Sequence, residues 1–199
     1  MHQLRPLVIA ALALLGAQAL AQTPAPTVAV LPVVNATGEK WVELRQKLEE
    51  RLTKALALAF SERGFQLVDP TAIQASLDAD KIDLKDEEFH RRDTLYKVAG
   101  AVKAKYSVLV VLTHNTQRKK QNFFTEAPEG EVTIKYWLVC TDPEEAIFSA
   151  KSETAKARPH AWLGVAKGSD QQLTAADRVI VTAFKEFLDK FPLVKKKGG

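Results

Sequence analysis

The alternation of strand-like and helix-like segments constrains this chain most, and it is clearest in its first third. Thr27–Val34 is a short apolar run rich in β-branched residues, which is typical of a strand buried on both faces. After a polar turn, residues 39–63 place apolar side chains at helical spacing, and Gly64 is predicted to end that helix. Residues 65–69 predict the next strand. A β-α-β unit of this kind needs further elements to cover it.

The later segments continue the same alternation, and each is predicted from the period of its apolar residues. They are a short helix at 71–77, a helix at 87–103, a central strand at 106–113, a β-hairpin formed by 131–141 and 146–154, and a last helix at 171–191. Residues 114–130 are polar and basic, and they predict a loop. The predicted fold class is α/β (α+β), a mixed sheet of about five strands with helices packed on it, in the order β-α-β-α-β-β-β-α.

The amino terminus has the pattern of a secretory signal peptide. Arg5 precedes the apolar run Leu7–Ala17, and Ala19 and Ala21 supply small residues two positions apart, so we expect cleavage after Ala21. The apolar run is shorter than the roughly 20 residues that span a bilayer. No cysteine follows the signal to carry a lipid. We therefore expect a soluble periplasmic or secreted protein with no transmembrane segment after signal removal.

Composition fits one domain behind this signal. Residues 1–21 are the signal peptide, 22–26 a Pro-rich extended lead-in, 27–192 a single α/β domain, and 193–199 a disordered basic tail. A net charge of +4 on 199 residues describes a mixed surface, so nucleic acid is not an expected partner. The chain has one cysteine, Cys140, which is predicted to be a small core residue.

Catalytic signatures are missing from the sequence. It contains no Gly-x-Ser-x-Gly elbow, no His-Glu-x-x-His, no phosphate-binding Gly-rich loop and no paired cysteines. The aspartates of residues 78–86 lack the spacing of a calcium loop. We predict a non-enzyme with no catalytic residue, no metal site and no cofactor. A hydrolase or ligand-binding protein that uses His114 and those aspartates stays open as an alternative, because His114 follows the predicted central strand.

Candidate binding residues lie in two predicted loops, since loops carry function more often than cores do. The possible partner-binding residues are Arg118, Lys119, Lys120, Phe123, Phe124 and Trp162. A basic triplet beside two phenylalanines would suit an anionic surface or a polyanion. The two phenylalanines could equally anchor the loop.

The order of segments resembles a group of bacterial envelope domains. The stretches that carry the resemblance are Val28–Pro32, Arg63–Asp69, Val98–Val110 and the paired strands at 132–154 around an Asp-containing turn. The group includes the curli-secretion channel lipoprotein, the outer-membrane lipoprotein activators of penicillin-binding proteins, and the amino-terminal domain of the Tol-system propeller protein. The chain departs from it in lacking a lipidation cysteine and in having Ala104-Lys105 where the group has Gly-Ala-Asp. Membrane anchoring and channel formation are therefore not implied.

The resemblance implies a non-enzymatic α/β envelope domain that works through protein contacts. We accordingly expect an exported adaptor or assembly factor whose partners are envelope proteins, with a homo-oligomer left open. A protein that binds polyanions or the envelope surface through residues 118–124 is one alternative. The hydrolase or ligand-binding protein is the other.

Overall fold

The computed structural model describes residues 25–122, 125–158 and 168–193, with the side chains of 119–122, 125–127 and 168–170 excepted. Its helices and strands are β1 (Thr27–Val30), β2 (Val34–Asn35), α1 (Val42–Ser61), β3 (Gln66–Leu67), α2 (Pro70–Ala79), α3 (Arg92–Ala101), β4 (Tyr106–Asn122), β5 (Thr125–Thr141), β6 (Glu144–Ala157) and α4 (Gly168–Leu188). The predicted α/β class is confirmed: this part of the chain forms a mixed sheet of six strands with four helices.

The sheet has a parallel half and an antiparallel half. Its strand order is β3-β1-β4-β5-β6, and β2 pairs with β4 beyond the end of β1. The strands β1 and β2 run parallel to β4, and β3 runs parallel to β1. The β4–β5 and β5–β6 pairs are antiparallel. The predicted central strand, now β4, indeed lies in the middle of the sheet.

Helices cover both faces of the sheet. Alternate residues of β4 point to opposite faces: Val108 and Val110 belong to the cluster under α1 and α4, and Leu109 and Val111 to the cluster under α2 and α3. On α1 the side chains buried against the first face recur every fourth residue; they are Leu48, Leu52, Leu56 and Phe60. This period is the one that predicted the helix.

A bulge separates β1 from β2, where one continuous strand was predicted. The N–H groups of Leu31 and Ala36 donate to the carbonyls of Val108 and Leu112 on β4, at 3.0 and 2.8 Å. The two donors are five residues apart and the two acceptors only four, so the first strand contains one extra residue. Pro32 lies in this interval, and its missing N–H makes regular pairing there impossible.

Residues 114–130 were predicted as a loop, and this prediction is wrong. β4 continues to Asn122 and β5 begins at Thr125, and they stay paired from His114–Thr133 to Asn122–Thr125. The pattern misled because an apolar alternation marks a strand only where one face is buried. Most residues of this stretch are polar, so the sequence contains no regular apolar alternation to mark it as a strand.

The helix predicted at 87–103 begins later, at Arg92. A 3₁₀ turn at Glu87–Phe89 occupies the first positions, and the Asp86 carboxylate accepts a hydrogen bond from the Glu88 N–H at 3.0 Å. Ser, Asp and Asn side chains that bond to nearby backbone favour such turns over a continuing helix. The acidic residues that were expected to open the helix therefore belong to the turn.

The outer strand β6 contains its own bulge. Tyr136 pairs with Lys151 and Leu138 with Phe148, so Ser149 and Ala150 together face the single residue Trp137. Ala150 has a φ of 54°, in the left-handed region. A bulge with one left-handed residue bends the strand and increases its twist.

Three helices end with a left-handed residue, but only α1 uses glycine there. Gly64 has φ 79°, whereas Lys81 after α2 and Lys103 after α3 have φ 54° and 55°. After α3, the Ala104 N–H donates to the Ala99 carbonyl at 2.8 Å, which is the long bond of a Schellman cap. The backbone of a residue with a Cβ, such as lysine, adopts this conformation at a cost of about 1–2 kcal/mol, which glycine avoids.

We expect Lys103→Gly to stabilise the protein by about 0.5–1 kcal/mol, because relief of the strain exceeds the entropy that glycine loses on folding. The melting temperature should rise by roughly 2–4 °C, measured by circular dichroism. Lys103→Ala is the matched control. It removes the same exposed side chain but keeps the Cβ, so it should give no gain.

Candidate functional site

A polar cluster lies at the carboxyl ends of the parallel strands, the position where open α/β sheets present ligands. The Asn35 Oδ1 accepts hydrogen bonds from the N–H and the hydroxyl of Thr37, at 3.1 and 2.7 Å. The Glu39 carboxylate accepts from the Trp41 N–H at 3.0 Å and from the Asn115 Nδ2 at 3.4 Å. Glu39 thereby ties the loop between β2 and α1 to β4 and fixes the start of α1.

This loop exposes a tryptophan. Trp41, the cap residue before α1, is 75% exposed, and Val42, the first residue of α1, is 52% exposed. Trp41 and Val42 come shortly after Glu39 in the chain. The hydrogen bonds of Glu39 order the loop that carries the indole. An exposed pair of large apolar side chains on a tied loop is a feature of contact surfaces.

A two-stranded arm projects beside this loop. β6 stops pairing with β5 at Gly130, so the five residue pairs from Arg118–Glu129 to Asn122–Thr125 stand without a third strand. At about 3.4 Å per residue, the arm is roughly 17 Å long. We call residues 118–122 and 125–129 the hairpin arm. It contains three of the six predicted binding residues, Arg118, Lys119 and Lys120.

The sequence-predicted binding residues are only partly placed. Arg118 is exposed on β4 at the base of the arm, and Lys119 and Lys120 follow it in the same strand. The last three predictions, Phe123, Phe124 and Trp162, lie outside the described residues. The structure thus puts the basic triplet on a strand of the arm and leaves its pairing with the aromatic residues untested.

Acidic residues offset the basic triplet. Residues 113–131 contain three basic and three acidic side chains, so the hairpin has no net charge. Glu129 stands opposite Arg118 in the register, is only 5% exposed and forms an ion pair with Arg158. A strand with this balance does not favour a polyanion as ligand.

An open cleft of about 810 Å³ lies along the other side of β2. Residues 32–36 form its floor. Its walls come from α1 and from α2 with the turn that follows; the side chains in these walls include Arg45, Gln46, Glu49, Gln74, Leu77, Ile82, Leu84, Lys85 and His90. His90 is half-buried in this wall, and its Nε2 lies 2.7 Å from the Leu84 carbonyl. That bond holds the turn in place.

The structure does not bring His114 and the aspartates of residues 78–86 together. His114 is exposed and lies opposite Thr133 in the hairpin, and it does not line the cleft. The aspartates have local roles: Asp80 forms an ion pair with Lys97 at 2.8 Å, and Asp83 accepts from the Lys85 N–H at 3.0 Å. Within the described residues, no three His, Cys, Asp or Glu side chains come together as a metal site.

Cys140 lies in the core as predicted, at 5% exposure, and its Sγ donates to the Asp142 carbonyl at 3.4 Å. Burial raises the pKa of the neighbouring Tyr106 phenol, and the thiol of Cys140 contributes to the same shift. Both groups are structural, and neither lies at the carboxyl ends of the parallel strands.

Sequence reasoning missed Trp41. The helical period was the available signal, since Trp41, Leu44 and Leu48 are three and four positions apart. That period places all three toward the core. Trp41 is nevertheless exposed, because it occupies the cap position, one residue before α1 begins. A tryptophan at the very start of a helix, next to polar turn residues, is the pattern that could have identified it.

Comparison with known proteins gives similar folds. No protein-family model matches the sequence, and no curated protein matches it. Lipoprotein GNA1162 from Neisseria meningitidis is 11% identical with a TM-score of 0.49, and the match covers 82% of this chain and 99% of that one. The hypothetical protein CT253 from Chlamydia trachomatis is 14% identical with a TM-score of 0.49, covering 82% and 96%. The C-terminal domain of LpoB from Salmonella enterica is 18% identical with a TM-score of 0.44, covering 71% and 87%.

These similarities assign no family. Among the helices of the described residues, none combines the length and the apolar character that crossing a bilayer requires.

Proposed function

We propose that this protein is an exported, non-enzymatic adaptor or assembly factor of the bacterial envelope, acting through contacts with other envelope proteins. The observation that carries the proposal is the exposed Trp41, beside Val42, on a loop tied to the base of the hairpin arm. The signal-peptide pattern of residues 1–21 supports delivery to the periplasm or the exterior.

Tryptophan is among the residues that contribute most to protein–protein affinity. Its two rotatable bonds lose little entropy on binding, and here Glu39 already orders the backbone around it. The arm supplies the other half of the proposed contact surface, through Arg118 and the two lysines after it. Phe123, Phe124 and Trp162 are proposed to add apolar contacts. Partner proteins or further copies of the chain could occupy such a surface.

Neither alternative function gains support. A polyanion-binding protein would need a basic surface, and the hairpin is neutral. A hydrolase built on His114 would need an acidic partner within hydrogen-bond reach, and the aspartates of residues 78–86 are engaged elsewhere.

We expect Trp41→Ala to abolish partner capture. The purified protein is immobilised, incubated with an envelope extract of its source cells, and the retained proteins are quantified by mass spectrometry. Loss of a central tryptophan should reduce the retained partner about tenfold or more. The melting temperature should not change, because Trp41 is 75% exposed and its removal leaves no cavity in the core.

Leu58→Ala is the matched control, since Leu58 is a large apolar residue on α1, the helix that follows Trp41, and is 52% exposed. It should capture the partner as well as the unsubstituted protein. Equal capture by Trp41→Ala and Leu58→Ala would contradict the proposed contact surface. Failure of the unsubstituted protein to retain any envelope protein would contradict the adaptor function itself.

A further inference from the structure

The main chain of β2 presents unused hydrogen-bonding groups to the cleft. Ala36 donates to Leu112 on β4, so Val34, two residues earlier, also directs its N–H and C=O toward β4. Val33 and Asn35 are one residue out of phase and direct theirs to the opposite side. The bulge at Pro32 creates this arrangement. Before the bulge the odd-numbered Leu31 directs its N–H toward β4, whereas after it the even-numbered Val34 and Ala36 do so.

No strand of the described residues occupies that opposite side. β3 pairs with β1 only at Thr27 and Val28, and its last contact is the bond from the Val68 N–H to the Val28 carbonyl at 3.0 Å. The edge from Pro32 to Ala36 therefore faces the cleft of about 810 Å³. No hydrogen bond within the described residues satisfies the N–H of Val33 or Asn35.

A second polar group in this place also lacks a partner. The Asn35 side chain lines the cleft, and Thr37 fully engages its Oδ1. Its Nδ2 is shielded from solvent and has no acceptor. Because this atom has almost no solvent-accessible surface, it belongs to the interior of the polar cluster, as does the unpaired Oδ1 of Asn115. The hydrogen bonds to an added strand would therefore come from the main chain alone.

The two walls of the cleft differ in character. Leu77 and Leu84, on the side of α2 and the turn after it, belong to the buried apolar cluster of that face. Arg45 and Glu49, on the side of α1, are charged. Successive side chains of an extended peptide point to opposite faces. The chemistry that fits is a strand with apolar residues toward Leu77 and polar residues toward α1.

We infer that the β2 edge is a peptide-binding slot that takes an extended segment of a partner protein by strand addition, with apolar and polar residues alternating along the segment. The main chain of Val33 and Asn35 supplies the hydrogen bonds. Because one wall is apolar and the other is charged, the slot favours segments in which apolar and polar residues alternate. The inference deepens the proposed function, on which it rests for the existence of a partner, and it assigns that partner a second contact besides Trp41.

The test uses short random peptides displayed on phage and selected against the purified protein, so it needs no native partner. Selected peptides should show alternating apolar residues. Amide hydrogen exchange by NMR should find Val33 and Asn35 fast in the free protein and protected with a selected synthetic peptide, whereas Ala36 is protected in both states.

Val33→Pro removes one outward N–H and should weaken peptide binding about tenfold or more while keeping the fold. Val34→Pro is the control, because it removes an N–H directed at β4 and should instead lower the melting temperature.

If no alternating peptide is selected, or if bound peptide leaves the Val33 and Asn35 amides unprotected, the inferred slot is wrong. Selected peptides together with an empty capture experiment would overturn the adaptor function and keep the slot. Successful capture of an envelope protein, with the Val33 and Asn35 amides left unprotected by bound peptide, would keep the adaptor function and overturn the slot.

Discussion

A protein that carries Leu48→Asp is expected to show no cooperative unfolding transition and to have lost its ordered tertiary structure. Leu48 is completely buried on α1, in the cluster between that helix and the sheet. Removal of a buried leucine side chain alone costs about 2–5 kcal/mol. An unpaired carboxylate in the same place adds a desolvation penalty of several kcal/mol. The sum approaches the whole stability of a typical domain, about 5–15 kcal/mol.

The measurement is thermal unfolding followed by near-ultraviolet circular dichroism. Lys47→Asp is the matched control, because Lys47 is exposed one position earlier on the same helix and takes the same new side chain. It should unfold cooperatively within a few degrees of the unsubstituted protein. A folded Leu48→Asp variant would mean that α1 does not pack on the sheet as described.

Gly130→Ala is expected to lower the melting temperature by roughly 10 °C, although it adds only one methyl group. A Cβ on Gly130 would lie 2.4 Å from the carbonyl carbon of Gln171 and 2.5 Å from the nitrogen of Gln172. Both are backbone atoms near the start of α4, so no side-chain rotation can make room. The helix would have to move away from β5, at a cost of about 3 kcal/mol.

Gly100→Ala provides the control, since a Cβ there meets no atom within 4 Å. Gly100 lies within α3, where alanine is favoured over glycine by about 0.5–1 kcal/mol, so this variant should be more stable. Hydrogen exchange should show faster opening at the start of α4 in Gly130→Ala only. Equal stability of the two variants would contradict the close approach of α4 to β5.

The sequence predicted those parts of the fold whose residues are buried with a regular period. The α1 leucines and the alternating residues of β4 are buried on the faces that their spacing indicates. The β5–β6 hairpin was recognised for the same reason. These predictions succeed because burial of apolar side chains is the dominant favourable term in folding, and it leaves a local pattern.

The features missed depend on contacts between distant residues. Glycine at position 130 is required by a helix that begins nearly forty residues later. The length of the hairpin depends on β4 and β5 pairing where no helix buries them. The cleft depends on β3 ending early beside β1, which no local pattern encodes. For the candidate site, the sequence singled out Arg118 in a stretch that it predicted to be a loop, and it gave no sign of the cleft along β2.

The bulge in β6 affects how the protein behaves when crowded. A long flat outer strand is a template for stacking with other chains, and such stacking leads to aggregates. The strand bends at Ala150, and the part of β6 that follows contains lysine and glutamate side chains. At the opposite side of the sheet, β3 has only two residues to offer. These two features limit self-stacking at the two outer strands of the described sheet.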